Sequence, residues 1–145
     1  VASPTELYRR PATRFVAGFV GRANLIDVDV ACMEEEGARV TVFGQGVTVP
    51  AHPDLHDHAL QNRAALLLIR PESLLVSRAE ENATGEDVGT VTVSAFMGER
   101  IDYEIEWQGR RLLASLANPD EADIHPEGTR VRLSTSPSQA WALPA

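Results

Sequence analysis

The chain lacks the residues that several classes of protein need. Its single cysteine, Cys32, excludes an internal disulfide and fits a reducing compartment. No apolar run approaches the roughly 20 residues that cross a bilayer, and no signal peptide opens the chain. Nucleic acid is disfavoured as a partner, because binders of it place aromatic platforms in a basic groove. This chain has a net charge of −8 and only two Trp, two Tyr and four Phe.

Catalytic motifs are also missing. The sequence contains neither a G-x-x-x-x-G-K-[ST] phosphate loop nor a G-x-S-x-G nucleophile elbow, and Cys32 has no evident base beside it. Glu104 and Glu106 lie two residues apart on a polar strand face, opposite Arg110 and Arg111, which favours a solvated ion-pair surface over an acid/base pair. We therefore predict no catalytic residue and no enzyme activity for these 145 residues.

The stretch 88–117 predicts three consecutive antiparallel strands. Apolar residues alternate with polar ones at period two from Val91 and again from Ile101, and the turn Gln108-Gly109 leads to a return strand. A sheet of this kind has one apolar face, which the rest of the chain must cover. The predicted core comprises Val91, Val93, Ile101, Tyr103, Ile105, Leu112, Leu116, Val131 and Leu133.

Similar patterns flank this meander. A strand is predicted from Ile26 to Cys32, with Ile26, Val28, Val30 and Cys32 on its apolar face. A hairpin that turns at Gly44-Gln45-Gly46 follows it. The continuous apolar run 66–69 predicts a strand buried on both faces, and further strands are predicted at 129–134 and 140–143. The two halves thus share an element order, although they show no residue-level repeat.

Three histidines lie close together between the two halves. His52, His56 and His58, with Asp54 and Asp57, could be read as a metal site, since His and Asp ligate zinc. Their spacing matches no standard ligand pattern, and no cysteine supports it. A solvated loop is therefore the preferred interpretation, and no metal ligand is predicted.

The N-terminal residues predict two short helices within 4–20. Ser3, Pro4 and Glu6 form a capping box with proline at the first helical position. The second helix carries an apolar stripe and ends at Gly21. The stripe consists of Phe15, Val16, Phe19 and Val20.

The segment SPTELYRRPATRFVAGFVGRANLI resembles the end of the nucleotide-binding domain in ATPases of ABC importers of the maltose, polyamine and ferric-iron type. Two further stretches resemble the regulatory domain that follows it, the TOBE or transport-associated OB domain. They are Ile69-Arg70-Pro71-Glu72 after a buried strand, and the turn 96–100 after a GTV-type strand. The likeness covers nearly the whole chain and is weakest between His52 and Arg63. It is carried at the N-terminus by Pro4, Glu6, Leu7, Tyr8, Pro11, Phe15, Val16, Phe19, Gly21 and Asn24.

This resemblance implies a mainly β fold, an OB-like antiparallel barrel with short N-terminal helices. Residues 1–23 would be the helical tail of an absent nucleotide-binding domain, and residues 24–145 the regulatory domain. A start at Val1 fits a fragment. The chain would bind no cofactor, because ATP and Mg belong to the absent domain. Structural or regulatory roles are expected for the motif residues Arg70, Pro71, Glu72, Gly98, Glu99 and Arg100.

The family likeness also implies partners. They are the protein's own nucleotide-binding domain, a second copy of the chain and the membrane permease subunits, on the cytoplasmic face of the plasma membrane. Dimers are expected at micromolar concentrations, through either the helical stripe or the sheet surface. The alternative function is a binding module that senses a small ligand or an oxyanion. The transported substrate, ferric iron or a polyamine, is left open.

Overall fold

The computed structural model describes residues 22–55, 64–121 and 124–144. The predicted N-terminal helices, and His56, Asp57 and His58, lie outside these ranges, and the division at residue 23 stays a prediction. The first half of the described chain contains five strands and a 3-10 turn at Pro71–Ser73. The strands are β1 (Asn24–Glu34), β2 (Gly37–Val42), β3 (Gln45–Val49), β4 (Ala64–Ile69) and β5 (Leu74–Arg78).

The second half repeats this order of elements. Three strands form a meander, a fourth follows after a loop, and a 3-10 turn at Pro137–Gln139 leads to the fifth. The strands are β6 (Val88–Phe96), β7 (Arg100–Trp107), β8 (Arg110–Ala117), β9 (Arg130–Thr135) and β10 (Trp141–Pro144). The shared order that the sequence indicated is therefore a repeat in structure.

The two halves exchange their fifth strands. One five-stranded sheet has the order β10-β4-β1-β2-β3 and the other β5-β9-β6-β7-β8. In each sheet the meander and the fourth strand come from one half, while the outermost strand beside the fourth comes from the other half. All named strand pairs are antiparallel. The predicted OB-like antiparallel fold is confirmed, and neither half completes its sheet alone.

The first sheet closes into a barrel through the segment that follows β3. Ala51 forms a parallel bridge with Ala142 of β10. The His52 N–H donates to the Ala142 carbonyl at 2.8 Å, and the Ala142 N–H donates to the Pro50 carbonyl at 2.9 Å. The exchanged strand β10 is thus bonded on both sides within the first barrel, since its other neighbour is β4.

In the second barrel, β8 packs against the Pro71–Ser73 turn and against β5. Here a side chain, and not a backbone group, forms hydrogen bonds with the backbone of β8. The Asn24 side-chain Nδ2 donates to the Leu113 carbonyl at 2.8 Å, and the Leu113 backbone N–H donates to the Asn24 side-chain Oδ1 at 2.7 Å. Asn24 therefore satisfies both backbone groups of Leu113, a residue on the edge strand of the second sheet, from the first residue of β1.

Both meanders turn on pairs of residues with positive φ. The pairs are Phe43-Gly44, with φ of 53° and 75°, and Gln108-Gly109, with φ of 48° and 73°. Positive φ at both central residues gives a two-residue turn whose twist matches the strands. Gln108-Gly109 is confirmed as a turn. The prediction for the other hairpin is wrong by one residue at its start and two at its end, because Gln45 and Gly46 belong to β3.

Phe43 has a positive φ, a conformation that bulky residues avoid. It adopts this conformation because its ring is buried between the two halves. The side chain is only 4% exposed and meets the Trp107 ring edge-on, with 5.1 Å between ring centroids. The Trp107 indole N–H in turn donates to the Glu86 carbonyl at 2.7 Å. This aromatic pair joins the end of β2 to the end of β7. It contributes about 0.5–1.5 kcal/mol to the free energy of unfolding beyond the contribution of its buried area.

The two barrels share one hydrophobic core, which contains residues from both sheets. Seven of the nine predicted core residues are confirmed as buried: Val91, Ile101, Tyr103, Ile105, Leu112, Val131 and Leu133. The prediction is wrong for Val93, which is 39% exposed, and for Leu116, which is 37% exposed. Leu116 does share a sheet face with buried Ile101, its cross-strand partner, but lies near the uncovered end of β8.

An irregularity in β6 turns Val93 outward. Val91 is paired with Ile105, yet Val93 is paired with Glu104, so one extra residue is inserted between them. A one-residue shift moves every later side chain to the opposite face. A similar shift in β1 lies between Val30 and Cys32, and Cys32 is exposed rather than on the apolar face as predicted.

Strand β4 is buried on both faces, as its apolar run predicted. Ala65, Leu67 and Ile69 point into the shared core. Leu66 and Leu68 belong to a second cluster on the other side of the sheet, together with Trp141 and Leu143 of the exchanged strand β10. The exchanged strand thus takes its packing, as well as its hydrogen bonds, from the other half.

Gly89 is the residue of β6 that permits close approach of β7. A Cβ atom there would lie 2.7 Å from the Ile105 Cγ2 atom and 2.9 Å from the Glu106 carbonyl oxygen. We expect Gly89→Ala to lower the free energy of unfolding by about 1–3 kcal/mol, because the backbone of β7 cannot yield freely. Urea unfolding followed by circular dichroism measures this. Gly46→Ala is the matched control, since its Cβ would meet only the flexible end of Arg39, and an equal loss in both variants would contradict the prediction.

Asn24→Ala tests the side-chain bridge between the halves. Both hydrogen bonds to Leu113 are lost, and its part-buried N–H and C=O are left unsatisfied. The expected loss in the free energy of unfolding is about 1–3 kcal/mol. Asn82→Ala removes the same amide from an exposed loop and should change it by less than about 0.5 kcal/mol. If both variants unfold at the denaturant midpoint of the unmodified chain, the bridge has no energetic role.

Candidate functional site

Arg70, in the motif Ile69-Arg70-Pro71-Glu72, is a buried cation that contacts the segment entering β1. It is 3% exposed, and its guanidinium Nη1 donates to the Arg22 carbonyl at 2.8 Å. Because Arg70 directly follows β4 and Arg22 precedes β1, the contact joins the end of one strand to the entry of its neighbour. This arginine therefore contacts the chain at the point where it enters the first barrel.

Pro71 and Ser73 form the turn that carries the chain from the first barrel into the second. Pro71 is at the first position of the 3-10 turn, where no N–H donor is needed. The Ser73 hydroxyl donates to the Gln139 side-chain oxygen at 3.0 Å. Gln139 ends the equivalent turn of the second half, so the two crossing points are bonded to each other. Glu72, which lies between Pro71 and Ser73 in the first of these turns, is exposed.

The second motif, the turn 96–100, forms the tight connection between β6 and β7. Gly98 has φ of 89°, which a side chain would strain, although no atom lies within 4 Å of a Cβ placed there. The Met97 N–H donates to the Arg100 carbonyl at 2.8 Å, and the Asn118 N–H donates to the Glu99 carbonyl at 2.7 Å. One backbone bond therefore closes this hairpin tip, and the other joins it to the residue that follows β8.

Asp102 joins the two motifs electrostatically. Its carboxylate lies 3.3 Å from the Arg100 Nε atom and 3.7 Å from an Arg22 Nη1 atom, and it accepts a hydrogen bond from the Ser115 hydroxyl at 2.8 Å. Arg22 is the residue whose carbonyl Arg70 binds. A continuous series of contacts thus runs from Arg70 through Arg22 and Asp102 to Arg100. Sequence reasoning missed Asp102, since an aspartate on a polar strand face is ordinary.

A small cavity lies beside the first motif, between the Pro71–Ser73 turn with β5 and the strands β7 and β8. Its volume is about 140 Å³, and its walls are mostly apolar, with Leu74, Val76 and Leu116 among them. Tyr103 and His125 also line the cavity. The backbone N–H of His125 donates to the Tyr103 hydroxyl oxygen at 3.0 Å. Both residues are 5% exposed or less, so they form a buried part of the cavity wall.

Large apolar side chains are exposed around this cavity and at the later motif. Phe96 is 64% exposed and Met97 is 56% exposed, at the tip between β6 and β7. Leu75, which lines the cavity with Leu116, is 48% exposed. An apolar surface beside a cavity is suited to docking another molecule, and its side chains cannot perform acid/base or nucleophilic chemistry.

The predicted ion-pair surface on the meander is confirmed in part. The Glu104 carboxylate lies 3.8 Å from an Arg111 guanidinium nitrogen, and Glu106 is the cross-strand partner of Arg111. Arg110 instead pairs with Asp27 of β1 at 3.4 Å. It therefore links the two halves, which the sequence did not predict. Exposed pairs of this kind contribute about 0–1 kcal/mol each.

The histidine-rich loop provides no metal site within the described ranges. There, no group of three or more His, Cys, Asp or Glu side chains could hold a metal ion. The Asp54 N–H donates to His52 Nδ1 at 3.1 Å, a contact of the loop with itself. A wider, open hollow of about 760 Å³ lies along β1, and Asp27 and Asp29 are among the residues that line it. Among residues 22–55, 64–121 and 124–144, no helix has the length and hydropathy to cross a bilayer.

Comparison with known proteins agrees with the resemblance. Residues 67–143, from β4 to β10, match the family model of the TOBE domain. The ferric-ion import ATP-binding protein FbpC of Brucella suis is 37% identical over 110 residues, which is 76% of this chain and 29% of that protein. The spermidine/putrescine import ATP-binding protein PotA of Rubrobacter xylanophilus is 32% identical over 123 residues, 84% of this chain and 32% of that protein. The chain thus spans about a third of these relatives.

Among solved structures, the cytoplasmic molybdate-binding protein ModG, in a form with molybdate bound, has the same fold with a TM-score of 0.55. The match covers 84% of this chain and 96% of that one at 12% sequence identity, so it speaks for the fold alone. The family model covers more than half of the 145 residues, including the exchanged strands and both motifs. This chain belongs to the TOBE domain family.

Proposed function

We propose that this chain is the regulatory domain of the ATP-binding subunit of an ABC importer. One observation carries the proposal: both relatives described above are named as import ATP-binding proteins, and the chain aligns with about a third of each. The remaining two thirds have room for a nucleotide-binding domain. Residues 1–23 would then be the tail of that domain, which the Arg70–Arg22 contact joins to the barrel.

The domain itself is non-catalytic in this proposal. The sequence has no G-x-x-x-x-G-K-[ST] loop, so it has no backbone cradle for the phosphates of ATP. ATP and Mg would be bound by the nucleotide-binding domain, and this chain would bias that domain's cycle through contacts. Its partners would be that domain, a second copy of the chain and the membrane permease subunits, on the cytoplasmic face of the plasma membrane.

The imported substrate would be ferric iron or a polyamine. Relatives with both names align with this chain, at 37% and 32% identity. A domain that regulates through contacts does not itself need to bind the transported substrate. Growth on a limiting source of each substrate, with and without the gene, would distinguish the two.

Isothermal titration calorimetry with Mg-ATP tests the division of labour. The 145-residue chain should show no binding up to millimolar nucleotide, because it lacks the phosphate loop. The full protein encoded by the gene should bind ATP and hydrolyse it, and it is the positive control. Micromolar binding to the chain alone would contradict its non-catalytic role, and an upstream gene region without a nucleotide-binding domain would contradict the importer assignment.

The alternative function, an oxyanion-sensing module, is tested with molybdate in the same calorimeter. ModG, described as a molybdate-binding protein, shares the fold, which is the observation that keeps this alternative open. We expect no binding, since a net charge of −8 disfavours anions unless donors are built for them. Sulfate serves as the control for selectivity. Binding of molybdate at micromolar concentration, without binding of sulfate, would favour the alternative.

A further inference from the structure

We propose that the cavity of about 140 Å³ in the second barrel binds one small, neutral, mainly apolar molecule of about the size of benzyl alcohol. The cavity lies where the barrel wall passes from β8 to the Pro71–Ser73 turn and β5. This inference goes beyond the proposed function and does not depend on it. It concerns a neutral ligand inside one barrel, so it is also separate from the oxyanion-sensing alternative.

The position of the cavity follows from a difference between the two structural repeats. In the first barrel, backbone bonds between residues 50–52 and Ala142 close the wall beside the exchanged strand β10. The corresponding wall of the second barrel runs between β8 and the exchanged strand β5. Among the residues that the structure describes, β8 and β5 share no backbone bridge, and the Asn24 side chain bonds to the backbone of Leu113. The cavity lies at this unbridged wall.

The cavity reaches into the inside of the second barrel. Leu74, Ala114 and Tyr103 line it, and each of them is 4% exposed or less. Ala114 is the cross-strand partner of Tyr103, so both side chains point inward, to the face that also carries the buried Ile101 and Ile105. The mouths of β-barrels are frequent sites for small ligands. A molecule bound here would be enclosed by the barrel.

The volume of the cavity determines the size of its ligand. Apolar cavities of about 150 Å³ bind benzene, because their walls lack the polar partners that would hold water. A cavity of about 140 Å³ therefore suits a molecule of about six to eight non-hydrogen atoms. Leu75 and Leu116 also line the cavity and are 48% and 37% exposed, so it extends to the surface, where a ligand can enter.

Charge disfavours ions in the cavity. Glu72 lines the cavity and is exposed, so its carboxylate is in contact with solvent. This carboxylate and the net charge of −8 disfavour an anion. An ammonium group would be attracted by Glu72, but it would lose hydration against the apolar walls, and a solvated carboxylate does not offset that loss. The cavity therefore selects a neutral molecule.

Titration of the 145-residue chain with benzyl alcohol, followed by nuclear magnetic resonance, tests the site. We expect saturable shifts, centred on Leu74, Ala114 and His125, with half-saturation at about 1 mM, an affinity within reach of a ligand of this size. Benzoate and benzylammonium have the same ring with a charge, and each should bind at least about tenfold more weakly. Shifts that do not saturate, or either ion binding as tightly as benzyl alcohol, would overturn the inference.

Ala114→Leu tests the position of the ligand. The added carbon atoms would occupy the cavity, so this variant should stay folded and lose detectable binding of benzyl alcohol. Ala38→Leu is the matched control for packing. Ala38 is buried and lines neither this cavity nor the hollow along β1, so the same added atoms should lower the urea midpoint of unfolding. A folded Ala114→Leu chain that binds as tightly as the unmodified chain would place the ligand elsewhere, and the inference would fail.

Leu116→Phe keeps the test decisive if Ala114→Leu does not fold. Leu116 lines the cavity and is 37% exposed, so a larger ring is tolerated there and should weaken binding at least about fivefold. Val93→Phe adds a ring at a residue that is 39% exposed but does not line the cavity, and it should leave binding unchanged. Equal affinity of the two variants would contradict the assigned site. None of these results bears on ATP binding by the full protein, so failure here is distinguishable from failure of the importer assignment.

Discussion

Exchange of the fifth strand is the constraint on which the rest of this structure depends. The N–H and C=O groups at the edge of a barrel strand must be hydrogen-bonded. Each half supplies the fifth strand that completes the sheet of the other half. Strand β10 bonds to β4 on one side and to the chain at Ala51 on the other. Its side chains Trp141 and Leu143 pack on Leu66 and Leu68. Folding of one half without the other would leave both an unpaired edge and an uncovered apolar surface.

The two motifs have different physical roles, although one polar series joins them. Arg70, with Pro71 and Ser73, fixes the crossing between barrels and the entry of the chain at Arg22. Gly98, with Glu99 and Arg100, shapes the tip that projects from the second barrel. Asp102 lies between them, within 4 Å of both Arg22 and Arg100.

Local sequence signals predicted most strands correctly because each strand has its own period-two pattern. Two of the errors have the same physical cause. In β6 and in β1, an extra residue shifts the register and turns Val93 and Cys32 outward, and a pattern of alternating residues does not reveal such an insertion. Leu116 shows a different limit. Its face is inward, but whether anything covers the end of a strand depends on residues distant in the chain.

What the sequence by itself determined was the β class, the order of elements, the turn at Gln108-Gly109, the doubly buried β4 and the positions of both motifs. These depend on neighbours along the chain, whose spacing and turn chemistry are readable there. Only the tertiary structure decided that the fifth strands are exchanged, that Asn24 bonds to Leu113, and that Asp102 joins the motifs. Asn24 and Leu113 are 89 positions apart, and their contact exists because two barrels share one core. Such contacts are selected by the packing of the whole chain, so no local pattern announces them.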